Sequence, residues 1–242
     1  MSRVPSALTA SMPDVWQGRR LQRGMPVLAT GHPGLDGLLP AGGWPLGAVT
    51  ELLTETPGAG ELSLVLPALA EATSKSQWVI LVNPPWVPYP PAMRGHGIAL
   101  EQVLVVRARN AQECLWACEQ ALRGVRGGIV MAWPENPKFS HLRRLQLAAS
   151  AGRKLAFLFR STAAASEATP AALRLRVQAD AGGTHVTILK CRGRRPDTSL
   201  LIRRSTDLPG VTALPVTAPA MPATVTPLST AEAPGVDVHH VH

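Results

Sequence analysis

Gly58-Ala59-Gly60-Glu61-Leu62-Ser63 lies between an apolar run and a stretch rich in Leu and Ala. A glycine-rich loop between a strand and a helix is an arrangement that cradles phosphate, because backbone N–H groups and the helix dipole converge there. Phosphoryl transfer in such a loop also needs a lysine for the β- and γ-phosphates and a following hydroxyl for magnesium. Glu61 and Leu62 stand in those two places. Glu61 would repel the phosphates that a lysine attracts, whereas a carboxylate in the first turn of a helix is favoured by the dipole and the free N–H groups. The expectation is a vestigial phosphate loop, carried by Gly58, Gly60, Glu61 and Leu62, with no catalytic residue, no cofactor and no metal.

Other residues with chemistry to offer are basic and aromatic. Residues 138–204 hold fourteen Lys or Arg against Glu167, Asp180 and Asp197, so the basic excess of the whole chain lies there. Its densest part, Lys190-Cys191-Arg192-Gly193-Arg194-Arg195, follows a strand-like run and precedes Pro196. Such a loop contacts phosphates without reading bases, docks a protein, or is simply solvated. Trp16 beside Arg19 and Arg20 suits a docking contact, since exposed Trp anchors interfaces. Trp78, Trp116 and Trp133 fall in strands or helices and read as core, while Trp44 and Trp86 read as covers at the ends of the sheet. Cys114 and Cys118 read as small core residues of one helix face. His32, His96, His141 and His185 are scattered, and the cluster Val238-His239-His240-Val241-His242 has no neighbours to orient its imidazoles.

The elements that must position these groups alternate between strand-length apolar runs and segments of helical period. That order belongs to βαβ units around a mostly parallel sheet. Strands are expected over 48–53, 78–82, 103–107, 128–133 and 155–159, and helices over 61–73, 111–123 and 140–150. Beyond residue 159 come shorter pieces, 173–178 and 185–191, joined through Asp180-Ala181-Gly182-Gly183, a turn suited to an antiparallel hairpin. Residues 200–203 add an edge strand.

A chain of 242 residues with 45% apolar residues can bury one full core. Its net charge of +8 favours an anionic partner, nucleic acid first among them. Three cysteines make no disulfide framework, and neither a leader-like start nor a long apolar run is present, so a cytoplasmic protein without membrane contact is expected. Residues 205–242 carry six prolines and no Lys or Arg, and are expected to be a disordered tail.

Gly31, Leu35-Asp36, Gly42-Gly43-Trp44-Pro45-Leu46-Gly47 and Glu51 resemble the stretch before the phosphate loop of RecA recombinases, and the resemblance runs on over about residues 28–204. It implies a RecA-like domain there, preceded by an N-terminal segment, 1–27, with the Trp16 motif. On that alignment the loop Lys and Thr correspond to Glu61 and Leu62, the water-activating glutamate to Pro85, and the magnesium-associated aspartate to Ala132. Three losses together imply that the chain is not an ATPase, because positioning of metal, phosphate and water supplies nearly all the catalysis of this reaction.

Among RecA relatives, Val15-Trp16-Gln17-Gly18-Arg19-Arg20-Leu21, the Gly42-to-Gly47 turn and Asn83-Pro84-Pro85 are similar to the ImuA family. That resemblance implies an accessory role in the SOS response to DNA damage: mutagenic translesion synthesis with an ImuB-like protein, a DnaE-type error-prone polymerase and RecA, with DNA as a further candidate. Candidate contact residues are Trp16, Arg19, Arg20, Lys190, Arg192, Arg194 and Arg195. The family is also related to SulA, which keeps a second reading, a cell-division inhibitor that binds FtsZ.

Overall fold

The structure is a computed structural model. It describes residues 26–39, 41–124, 128–191 and 198–203, and the backbone of 237–240. Trp16, Arg19, Arg20, Arg192, Arg194 and Arg195 lie outside the described residues.

In chain order the first half comprises β1 (Val27–Leu28), α1 (Pro33–Leu38), β2 (Trp44–Pro45), β3 (Ala48–Thr54), α2 (Glu61–Ser74), β4 (Val79–Val82), α3 (Pro90–Gly95) and β5 (Val103–Arg107). There follow α4 (Ala111–Arg123), β6 (Ile129–Ala132), α5 (Phe139–Gly152), β7 (Leu155–Ser161), β8 (Leu173–Asp180), β9 (Gly183–Cys191), β10 (Thr198–Arg203) and β11 (Asp237–His240).

All seven residues of β3 and all four of β6 are buried. Strands covered on both faces read as unbroken apolar runs, and parallel sheets produce such strands because their crossovers lay helices on each side. Six parallel strands run in the order β8-β3-β7-β6-β4-β5, with the antiparallel hairpin β9-β10 beyond β8. The α/β class, the mostly parallel sheet flanked by helices and the C-terminal antiparallel hairpin are as expected from the sequence. One short piece of the tail, β11, runs antiparallel along β5, where an open edge presents unpaired backbone groups.

Two apolar layers hold the sheet. On one face Leu35, Leu64, Ala68 and Met93 pack from α1, α2 and α3 against Leu52 and Phe157. On the other, Cys114, Cys118 and Leu122 of α4 join Leu142 and Leu145 of α5 over Val49, Val130 and Ala156. Each large side chain so covered stabilises the fold by roughly 1.5–3 kcal/mol relative to exposure. Gly31, at φ +80°, lies against Pro67 of α2 so closely that a Cβ would fall 2.3 Å from the proline Cβ.

Three tryptophans depart from expectation, one of them Trp86, which is 67% exposed and not a cover. Trp44 is fully buried, its ring edge-on to Phe157 at 5.0 Å, so it is core and not a cover. Trp116 is 55% exposed on α4 and not core. It sits two residues from both Cys114 and Cys118, and a helix turns about 100° per residue, which puts it on the face opposite them.

Candidate functional site

The carboxyl ends of β3, β4, β5, β6 and β7 converge on an open cleft of about 620 Å³. Open α/β sheets bind ligands at such strand ends. Each wall follows from local sequence. β3 gives way to residues 55–60, with Gly58 at φ +93° and Gly60 at φ +95°, left-handed conformations that glycine adopts without strain. A Cβ on Gly60 would also fall 2.5 Å from Thr184 Oγ1 of β9, so the loop passes directly beneath the hairpin. Ser63 Oγ donates to Gly60 O at 2.6 Å and fixes the first turn of α2.

Glu61 opens α2 and is 2% exposed. Its Oε1 accepts the Gly58 N–H at 2.6 Å, while Oε2 is buried without a partner. The side chain therefore turns back into the loop, and its negative charge occupies space against the backbone N–H that an anionic ligand would use. Leu62, beside it, is 41% exposed.

Opposite the loop, Asn83, which follows β4 at φ +51°, grips the residue that follows β5: its Oδ1 accepts Ala108 N–H at 2.6 Å and its Nδ2 donates to Ala108 O at 3.3 Å. Arg107 donates to Pro84 O at 2.6 Å. The strand thus delivers Pro84 and Pro85 to the cleft wall, and Trp86, Val87 and Tyr89 follow, all strongly exposed. Ala132, the last residue of β6, is wholly buried, and Trp133 after it stacks on Phe159 at 4.4 Å.

Beneath the cleft lies a buried ion network. Glu51 of β3 accepts from Arg160 of β7 at 2.8 Å and from Arg174 of β8 at 2.7 Å, and Arg160 also reaches Glu167 at 2.7 Å. Burial would raise the Glu51 carboxyl, but hydrogen bonds from Arg174 and Arg160 more than reverse this and hold it below the ordinary carboxylate value. Arg160 responds in the opposite sense: burial alone would lower it, and its two glutamate partners raise it. These groups tie β3, β7 and β8 to one another, although Arg174 Nη2 is buried without a partner.

The basic segment is accordingly less available than its composition suggests. Arg160 and Arg174 are consumed in the network, and buried Lys154 donates to Ala121 O at 2.6 Å. Lys190, half-buried at the end of β9, donates to Thr169 O at 2.6 Å. Among the described residues no group of three or more His, Cys, Asp or Glu side chains could hold a metal ion, and no helix is long and apolar enough to cross a membrane.

Comparison with known proteins gives the cleft a context. Over 132 residues, 51% of the chain, it is 32% identical to the protein named ImuA of two Caulobacter vibrioides strains, covering 52% of each. The chain is similar to ImuA. It spans about half the length of these curated relatives. It is also 31% identical over 98 residues to the cell division inhibitor SulA of Edwardsiella piscicida, covering 40% of the chain and 58% of that protein. No family model matches.

The structure places Gly58, Gly60 and Glu61 together in one loop, of which Glu61 lines the cleft, and Lys190 away from it, on the hairpin. Sequence reading missed Glu51's partners, the Asn83 clamp and the exposed run from Trp86 to Tyr89. A signal existed for the first of these: Glu51 is a charge inside an apolar strand run, which demands a partner when buried.

Proposed function

We propose that this chain is a RecA-like accessory protein of SOS-induced mutagenic translesion synthesis that binds partners and does not hydrolyse ATP. The observation that carries the reading is the Glu61 carboxylate accepting the Gly58 N–H in the loop where phosphate would have to sit. A carboxylate held there repels a nucleotide's phosphates and uses one of the donors that would bind them. Pro85 and Ala132 stand where RecA enzymes carry the water-activating and metal-associated acids, so a vestigial phosphate loop fits the whole site. The similarity to ImuA over half of the chain supports the setting. Partners under this reading are an ImuB-like protein, a DnaE-type error-prone polymerase and RecA, acting in the cytoplasm. Trp16, Arg19, Arg20, Lys190, Arg192, Arg194 and Arg195 are the contact candidates, with DNA a further ligand of the basic loop.

Co-purification of the full chain with ImuB-like and RecA proteins tests the partners; association with neither removes the reading's main support. Paired Arg194→Ala and Arg195→Ala changes should lower the salt slope of DNA binding by about 0.9 per lost phosphate contact. An unchanged slope would assign that charge to solvation.

The SulA similarity supports a second reading, inhibition of cell division through FtsZ. Overexpression that filaments cells and suppresses FtsZ polymerisation would favour it over the first.

A further inference from the structure

We propose that the cleft at the strand ends is a receptor for a cationic side chain, arginine above all, presented by an extended segment of a partner protein and held by Glu61. The inference rests on the partner-binding reading above and names the chemistry of the contact.

Four observations carry it. Glu61 is almost wholly buried and lines the cleft, yet only one of its oxygens has a donor; Oε2 has none. Buried carboxylate oxygens are normally satisfied, and an unpartnered one on a residue that lines a cleft marks a place for a ligand's N–H. Second, the lining carries Glu55, Glu61, Glu135 and Glu167 against two guanidiniums, Arg107 and Arg160. The cleft is therefore acidic in a chain whose net charge is +8. Both guanidiniums are already engaged, Arg107 with Pro84 O and Arg160 with Glu51 and Glu167. This charge balance selects a cation and rejects a nucleotide.

Third, no metal cage is formed among the described residues, which leaves an organic cation with directional N–H donors. A guanidinium suits this best, because its planar fork can pair with one carboxylate while further donors reach others. Fourth, Pro85 leads out of the cleft into Trp86, 67% exposed, Val87, and Tyr89, 68% exposed. An apolar run beside a charged recess suits an interface anchor, where aromatic side chains cover the aliphatic flanks of the inserted segment.

The test uses the full chain, immobilised, and pools of short peptides degenerate at every position except a central arginine, citrulline or glutamate. Citrulline keeps the shape of arginine and removes its charge. The arginine pool should be retained about tenfold or more over the citrulline pool, and the glutamate pool not at all. Glu61→Gln, whose amide oxygen can still accept the Gly58 N–H, should collapse that preference; Glu101→Gln, an equal charge change away from the cleft, should leave it intact. Trp86→Ala, at an exposed position where folding is not at stake, should weaken retention of the arginine pool. Equal retention of arginine and citrulline pools would overturn the proposal, as would an unchanged preference in Glu61→Gln, equal loss in Glu101→Gln, or displacement of the peptides by ATP. A preference that depends on Glu61 in a protein whose removal leaves damage-induced mutagenesis intact would sink the functional reading and spare the cleft; the reverse pair of results would do the opposite.

Discussion

Glu51 on β3 and Arg174 on β8 meet at 2.7 Å with both side chains buried, and Arg160 closes on the same carboxylate from β7 at 2.8 Å. Three strands are thereby tied through one charge cluster directly below the cleft. Removing one member of a buried pair leaves uncompensated charge, so Glu51→Ala should cost about 3–5 kcal/mol in urea unfolding. The pH dependence follows from the depressed Glu51 carboxyl. A folded-state value below the unfolded one contributes stability that is present above the ordinary carboxylate value, 4.5, and is lost as pH falls through the folded value. Stability measured over that acidic window should fall more steeply in the wild type than in Glu51→Gln.

Gly60 and Gly37 should respond oppositely to the same change. Gly60→Ala places a Cβ 2.5 Å from Thr184 Oγ1 at φ +95°, and about 1–3 kcal/mol of destabilisation is expected. Gly37, inside α1, has nothing within 4 Å of an added Cβ, so Gly37→Ala should be neutral or stabilise by up to about 1 kcal/mol. Paired thermal unfolding curves decide both.

Two tryptophans offer a similar contrast. Trp44→Ala empties a site in the core against Phe157 and should cost about 3–5 kcal/mol. Trp116→Ala, on the exposed face of α4, should change stability by less than about 1 kcal/mol. A large loss at Trp116 would mean that this face is covered in solution.

Restoring the missing loop residues should not restore an enzyme. Glu61→Lys with Leu62→Thr leaves Pro85 and Ala132 in place, and no ATP hydrolysis above background is expected with or without single-stranded DNA. Phosphate release that rises with DNA would contradict the reading of these positions.

Much of the fold was legible because buried parallel strands are apolar runs: β5 and α4 match expectation to the residue, and β3, β4, β6 and β7 within two. The two six-residue helices α1 and α3 escaped, being too short for a periodic pattern, although Pro33 and Pro90 at their first positions were a usable signal. β11 carries no alternation that would mark it as a strand. At the cleft, the helix-start role of Glu61 was legible, since it follows from local position. Its grip on Gly58 was not, because the direction of a side chain depends on the fold of the loop. The Glu51 network was also hidden: its partners lie 109 and 123 residues away, a distance that spacing cannot report.

The most direct measurement is damage-induced mutation frequency in the source cell with the chain deleted and then returned. Deletion should bring the induced frequency down to the undamaged background, and returning the wild-type chain should restore it. An induced frequency that is unchanged by deletion would contradict an accessory role in mutagenic translesion synthesis.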